Sequence, residues 1–330
     1  MKTTRRWLLV ALILLIVAAL GPAQGVVLNG VKPMPNEKYV MVTFLSGIEF
    51  WVPAWRGMQD VAKMYGVKAV YQGTEKYDSQ AEATVLEQVI ATQPTGIIVT
   101  AQNPDALKPI IDKAIDSGIT TVMFDSDSPK SKRLICVEVN NYAAGAKAAR
   151  EMARLTGGTG KVAIITMPGQ YNLDQRSFGI QDTLKKEFPK MTMLGEQAGL
   201  GDYTLAARVA AQILQAHPDL AGIFSTGSEG GPGSVQAFRE AGVLGKIKIV
   251  GFDIDAATIE GIRKGEIDAT IVQGAYNMGY WAMQMCYVLA HGLSTPLPKW
   301  KEAGASPLPG GIDAGAYVCN KDNVQYFQTK

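Results

Sequence analysis

The sequence predicts an α/β protein built from two Rossmann-like lobes, each a doubly wound parallel sheet, joined by a three-segment hinge. Three observations carry this expectation. Continuous apolar strands alternate with amphipathic helices, as in parallel sheets covered on both faces. That alternation runs once from Lys38 to Asp127 and starts again at Lys161. The chain, at 330 residues, is also longer than one hydrophobic core usually organises, about 250–300 residues.

The elements follow in order. Tyr39–Phe44 reads as a buried strand, and the next helix places Trp55, Met58, Val61, Ala62 and Tyr65 on one face. Gly66 is its natural C-terminal stop. Strand Val67–Tyr71, a helix over 79–92, strand Gly96–Val99, a helix over 104–117 and strand Thr121–Phe124 complete the first set. Lys161–Ile165 opens the second set. A helix over 175–188, strand Met191–Gly195, a helix over 205–216, strand Gly222–Phe224, a helix over 233–241 and strand Ile247–Phe252 follow. The registers agree: Lys38 to Gly96 spans 58 positions and Lys161 to Gly222 spans 61, while Gly96 to Phe124 spans 28 and Gly222 to Phe252 spans 30. Both fourth strands end alike, Phe124-Asp125-Ser126-Asp127 and Phe252-Asp253-Ile254-Asp255. Matching order at matching spacing is the mark of an internal repeat.

Strand Ala269–Gln273 and a long helix from Tyr276 to His291 come next, with no counterpart to that helix at the end of the first set. The chain is therefore expected to return to the first lobe near Gln273. The predicted organisation is a signal peptide over 1–23, a leader over 24–37, an N-terminal lobe of 38–139 plus 275–310, and a C-terminal lobe of 140–274 plus 311–330. Crossings are expected near Val139–Asn141, Gln273–Gly274 and Gly310–Ala316, with a closing helix from about Lys321.

Lys2, Arg5 and Arg6 precede an apolar run from Trp7 to Leu20, and Gly21-Pro22-Ala23 offers a small-x-small cleavage pattern near Ala23. The run is short for a membrane span, which takes about 20 residues. Export to the periplasm is the expectation. Charged residues are 19% of the chain and mixed in sign, net +2, with no basic stripe, so nucleic acid is not an expected partner. Cys136, Cys286 and Cys319 lack metal spacing and read as three buried thiols; His217 and His291 read as surface residues. Gly157–Lys161 lacks the first glycine and the closing hydroxyl of a phosphate loop, and no Gly-x-Ser-x-Gly elbow occurs. No catalytic residue, metal or cofactor is predicted.

Ligands of open parallel sheets bind beyond the carboxyl ends of the strands. After the first strand come Glu49, Phe50 and Trp51, and adjacent aromatics there suit the apolar C–H faces of a sugar ring. Trp55 is assigned to the core. Asp125 and Asp253 end equivalent strands and would accept paired hydroxyl bonds, which are strong when charge-assisted. Asp127 and Asp255 are assigned to helix capping. Arg176, after the second lobe's first strand, offers a rigid fork of donors. Asn172, Asp202 and Gln273 hold comparable strand-end or crossing positions, and Glu229 lies in the turn Gly227–Pro232.

Together these features resemble the type I periplasmic sugar-binding proteins, the ribose- and galactose-binding group, over about residues 38 to 328. The carrying segments are Phe50-Trp51, Asp125–Pro129, Asn140–Gly145, Gln175-Arg176, His217–Asp219, Val250–Asp253 and Ala269–Gln273. The resemblance implies capture of one monosaccharide, hinge closure as a monomer, and docking on an ABC-type permease in the inner membrane. Family contacts carry over onto Phe50, Trp51, Asp125, Arg176, Asp253 and Gln273. Asp125–Pro129 and Asp313-Ala314-Gly315 look most like glucose-binding members, and a hexose such as glucose is favoured. Gly227 and Ser126 depart from the ribose-binding pattern. The alternatives are another polyol or a sugar-like signalling molecule, and, more remotely, an exported α/β hydrolase. A sugar-responsive repressor shares the core but would need a DNA-reading helical motif where residues 1–37 stand.

Overall fold

A computed structural model of the chain describes residues 31, 34–293, 297, 299–303 and 307–327. The expected signal peptide and its cleavage point lie outside them. The first lobe runs β1 (Lys38–Thr43), α1 (Trp51–Tyr65), β2 (Lys68–Gly73), α2 (Ser79–Ala91), β3 (Gly96–Val99), α3 (Pro104–Asp116), β4 (Thr120–Phe124) and β5 (Cys136–Glu138). The second runs α4 (Asn141–Thr156), β6 (Gly160–Thr166), α5 (Tyr171–Glu187), β7 (Met191–Ala198), α6 (Tyr203–Ala216), β8 (Leu220–Ser225), α7 (Gly230–Glu240), β9 (Lys248–Phe252), α8 (Ala256–Lys264) and β10 (Ala269–Gln273). Then come α9 (Ala275–Ala290), α10 (Trp300–Ala303), β11 (Gly311–Asp313), β12 (Ala316–Asn320) and a 3₁₀ turn at Val324–Tyr326.

Two six-stranded sheets result, ordered β11-β5-β4-β3-β1-β2 and β12-β10-β9-β8-β6-β7. Every pairing is parallel except β12 against β10. The central strands are buried along almost their whole length, because helices cover both faces; edge strands β2 and β7 are only half-buried. Local sequence fixes the helix ends. Asp78, Asn103, Asn140, Asp202 and Asp255 each accept a bond from a first-turn amide, a cap worth about 1 kcal/mol. Gly66, Gly157 and Gly265 close their helices in the left-handed conformation.

Helix α9 packs in the first lobe: Tyr287 stacks on Tyr65 with ring centres 3.8 Å apart, and Tyr276 donates to Asp60. Each lobe has a helix pair pressed backbone to backbone. A Cβ at Gly145 of α4 would strike the carbonyl oxygen of Arg176 in α5, and one at Gly279 of α9 would strike that of Ala54 in α1.

Two expectations are corrected at the C-terminal end. Gly311–Asp313 pairs with Cys136–Glu138 in the first sheet, so residues 311–313 sit with the first lobe and the third crossing falls between Asp313 and Ala316. In place of a closing helix from Lys321 there are a strand and a short turn. Tyr317 is exposed and Cys319 buried; two residues apart, they share one face of the strand, which is open at its start and covered further along. The turn then seats Val324 and Phe327 on the second lobe's core.

Candidate ligand-binding site

Three adjacent crossings join the lobes, and they are bonded to one another. Ala314 N donates to Glu138 O at 2.7 Å, Gly274 N to Gly315 O at 3.1 Å, and Asn140 N to Asp313 Oδ1 at 3.1 Å. This brings the carboxyl ends of both sheets to face each other.

The two repeats end β4 and β9 in the same unusual way. Asp125 (φ 62°) and Asp253 (φ 70°) are both left-handed. Each amide donates to the neighbouring strand, Asp125 to Val137 O at 3.0 Å and Asp253 to Ile271 O at 2.9 Å. Holding a non-glycine residue there costs on the order of 1–3 kcal/mol, and such strain gathers at functional sites. Both carboxyl groups enter one small cavity of about 40 Å³, with Phe50, Trp51, Tyr77, Asn172, Arg176 and Gln273 among its walls.

Arg176 lies at the centre, only 1% exposed. Its Nε donates to Asn141 Oδ1 (2.9 Å), Nη1 to Thr226 O (2.6 Å) and Nη2 to Gln273 Oε1 (2.7 Å), and its guanidinium carbon sits 4.5 Å over the Phe252 ring. These bonds use three of five N–H groups. Gln273 passes the network on, donating from Nε2 to Asp253 Oδ1 at 2.6 Å. Asp125 is held more loosely: Thr100 and Asn172 reach Oδ2 at 3.5 and 3.4 Å, while Oδ1 is buried with no partner among the described residues. Burial pushes the Asp125 carboxyl up to about 7 and that of Asp253 to about 6, each opposed by the Arg176 charge. Glu229, also buried, is raised by burial as well.

Eight of the ten sequence candidates thus line this cavity: Phe50, Trp51, Asp125, Asn172, Arg176, Glu229, Asp253 and Gln273. Trp51 does so as a core residue. It is 2% exposed, its indole N–H is bonded to Phe44 O and Leu45 O, and its ring meets Phe44, Phe50 and Phe124 edge to face. Glu49 and Asp202 instead border a larger outer cavity of about 880 Å³. Asp202 also caps α6 through Leu205 N, and Glu49 accepts from Ala256 N of the opposite lobe. The sequence reading missed Tyr77, Gln170 and Phe252. Tyr77 follows β2, so strand-end inspection extended to every strand would have found it; Phe252 lies within a strand, where nothing in one sequence announces it.

Several secondary assignments change. Asp127 is not a helix cap but an ion-pair partner, held by Arg133 Nε at 2.8 Å and Nη2 at 2.6 Å, because β4 leads through a loop to β5 rather than into a helix. Ser128 donates to Pro104 O, and Asp313 accepts from Asn140 N and Gly315 N. The segments that look most like glucose-binding members therefore spend these side chains on the scaffold. His291 is buried rather than at the surface, its Nε2 2.7 Å from Glu37 Oε1. Asp127, Cys136 and Glu138 place ligand-type atoms within 4.8 Å of one another, but both Asp127 oxygens are occupied by Arg133. The three cysteines are free and buried. Among the described residues no helix is long and apolar enough to cross a membrane.

The chain matches the family model for the periplasmic binding protein domain over residues 39–294. It is 41% identical to the sugar-binding protein of a sugar ABC transporter from Bacillus halodurans, covering 88% of this chain and 100% of that one, with a TM-score of 0.82. The arabinose-binding protein AraP of Geobacillus stearothermophilus is 40% identical, with 89% and 100% covered and a TM-score of 0.78. A xylose/arabinose-binding protein of Sulfolobus acidocaldarius is 25% identical over 326 residues, 93% of this chain and 76% of that protein. All three are named for binding and none for catalysis.

Proposed function

This chain belongs to the periplasmic binding protein family, and we propose that it is the exported capture component of an ABC-type sugar importer, holding one neutral monosaccharide between its lobes and catalysing nothing. The observation that carries this reading is the pairing of Asp125 and Asp253, equivalent left-handed strand ends from two lobes, around Arg176 in one cavity. Carboxylates there accept from sugar hydroxyls, and the guanidinium's remaining N–H groups donate to ring or hydroxyl oxygens. Phe50 and Tyr77 add flat apolar area beside them.

The charge of the site narrows the ligand class. Asp125, Asp253 and Glu229 face a single guanidinium, so a uronic acid or sugar phosphate would meet net repulsion. Hexose and pentose remain the two arms. Glucose is the expectation from the sequence, although Asp127, Ser128 and Asp313 prove to be scaffold contacts, while the arabinose-binding relative favours a pentose. The three bonded crossings would act as the hinge, closing the lobes on the sugar and presenting the closed form to the permease.

Calorimetric titration of the mature chain tests this. D-glucose, D-galactose, L-arabinose, D-xylose, D-ribose and myo-inositol would be compared with D-glucuronate and glucose 6-phosphate. Binding of at least one neutral sugar, with both anions silent, is expected. Silence across the neutral panel would defeat the proposal.

A further inference from the structure

The inner cavity is small, about 40 Å³, so a sugar ring seated between the two aspartates reaches into the space beside it. The inner cavity continues outward into the space of about 880 Å³, and the two share Phe50, Glu229, Asp253 and Gln273 as common walls. Whole pockets for drug-sized ligands run to roughly 300–1,000 Å³, so the continuous cleft has capacity for two linked rings. A gaping hinge does not account for it, because the lobes already touch. Glu49 Oε2 of the first lobe lies 3.1 Å from Ala256 N of the second, and Asn172 Nδ2 lies 3.4 Å from Asp125 Oδ2.

The lining of the outer chamber has the chemistry of a carbohydrate subsite. Tyr203 and Tyr276 offer partly exposed aromatic faces, 45% and 36% accessible. Arg56 and Asn277, both exposed, supply donors, and Glu49 supplies an acceptor. A cleft built for one monosaccharide alone needs a solvent exit, but it has no need for two exposed tyrosines beside the exit.

We propose that this outer chamber is a second sugar subsite, and that the protein takes a disaccharide whose terminal unit sits between Asp125 and Asp253 while the next unit lies along Tyr203 and Tyr276. This rests on the sugar-binding reading above. Glycosidic linkage removes one hydroxyl from the inner unit and directs its oxygen through the shared wall at Phe50, so a linked sugar reaches solvent without disturbing Arg176.

The test titrates each monosaccharide beside a disaccharide that carries it at the non-reducing end: D-glucose with cellobiose and maltose, D-galactose with lactose, L-arabinose with α-1,5-arabinobiose, D-xylose with xylobiose. One disaccharide is expected to bind within about tenfold of its monosaccharide, or more tightly. Tyr203→Ala and Arg56→Ala should each weaken that disaccharide about fivefold or more while leaving the monosaccharide within about twofold. A monosaccharide that binds while every disaccharide is at least about 100-fold weaker would overturn the second subsite and leave the capture reading standing. A disaccharide whose affinity neither variant changes would overturn it as well, since its outer ring would lie elsewhere. Silence toward sugars of both sizes would sink the two readings together.

Discussion

The two lobes share one topology and meet the cleft with opposite chemistry. The first contributes rings, Phe44, Phe50, Trp51 and Tyr77, and one acid, Asp125, whose Oδ1 has no partner among the described residues. The second contributes Arg176, Gln273 and Asp253, already bonded in a chain, and Asn172, which reaches across to Asp125. Equivalent aspartates thus sit in unequal surroundings. Asp253 belongs to a finished network, whereas Asp125 carries an acceptor waiting for a donor. A duplicated fold supplies the same backbone twice, and the side chains around it decide which half grips and which half is pre-set.

The largest effect should follow from Arg176→Met, which leaves two buried carboxyls without their counter-charge and orphans Asn141 and Gln273. Stranding buried charges this way costs about 3–5 kcal/mol of stability, and sugar affinity should fall on the order of 100-fold or more. Calorimetry and thermal unfolding would read the two losses separately.

The aspartates should then part company. Asp125→Asn should weaken binding by about 1.5–3 kcal/mol, as for hydrogen bonds to charged groups, without lowering the melting temperature, since its carboxyl is only loosely bonded in the free protein. Asp253→Asn should weaken binding and also destabilise, because its Oδ1 accepts from Gln273. Identical behaviour of the two variants in both measurements would erase the asymmetry between the lobes.

A smaller effect comes from pH. Burial holds Asp125 up at about 7 and Asp253 at about 6, above their ordinary unfolded value near 3.9. Between about pH 4 and 7 the folded protein therefore holds more protons than the unfolded chain, so these groups make the free protein less stable as pH rises through that window. Sugar binding should run the other way. The carboxylate is the better acceptor, so affinity should rise on the order of tenfold from pH 6 to pH 8, and Asp125→Asn should flatten the rise.

The smallest change in affinity, a few-fold, is expected from the tight helix pairs. Gly145→Ala pushes α4 against the Arg176 carbonyl, and Gly279→Ala pushes α9 against that of Ala54. Each should cost about 1–3 kcal/mol of stability by overpacking. Only Gly145→Ala, which shifts the backbone that carries Arg176, should also weaken binding.

Much of this was legible in the sequence, and the legible part has a physical pattern. Asp125 and Asp253 could be found because an internal repeat aligned them and strand ends in parallel sheets face the ligand. Arg176 and Gln273 followed from the same rule. The roles of Asp127 and His291 were misread because each depends on a partner brought in by folding, Arg133 and Glu37. Phe252 beneath the guanidinium gave no signal, since a strand phenylalanine looks the same whether it packs on a leucine or on an arginine.

By itself, the sequence determined the order of elements within each repeat, the duplication and the residues at the strand ends, since periodicity, caps and turn residues act over a few positions. Tertiary structure alone decided that Gly311–Asp313 joins the first sheet, that Trp51 is walled into the core, and that one aspartate is bonded while its twin is left open. Those outcomes depend on groups far apart in the chain, and a pairing between distant residues leaves no mark on the local pattern of either.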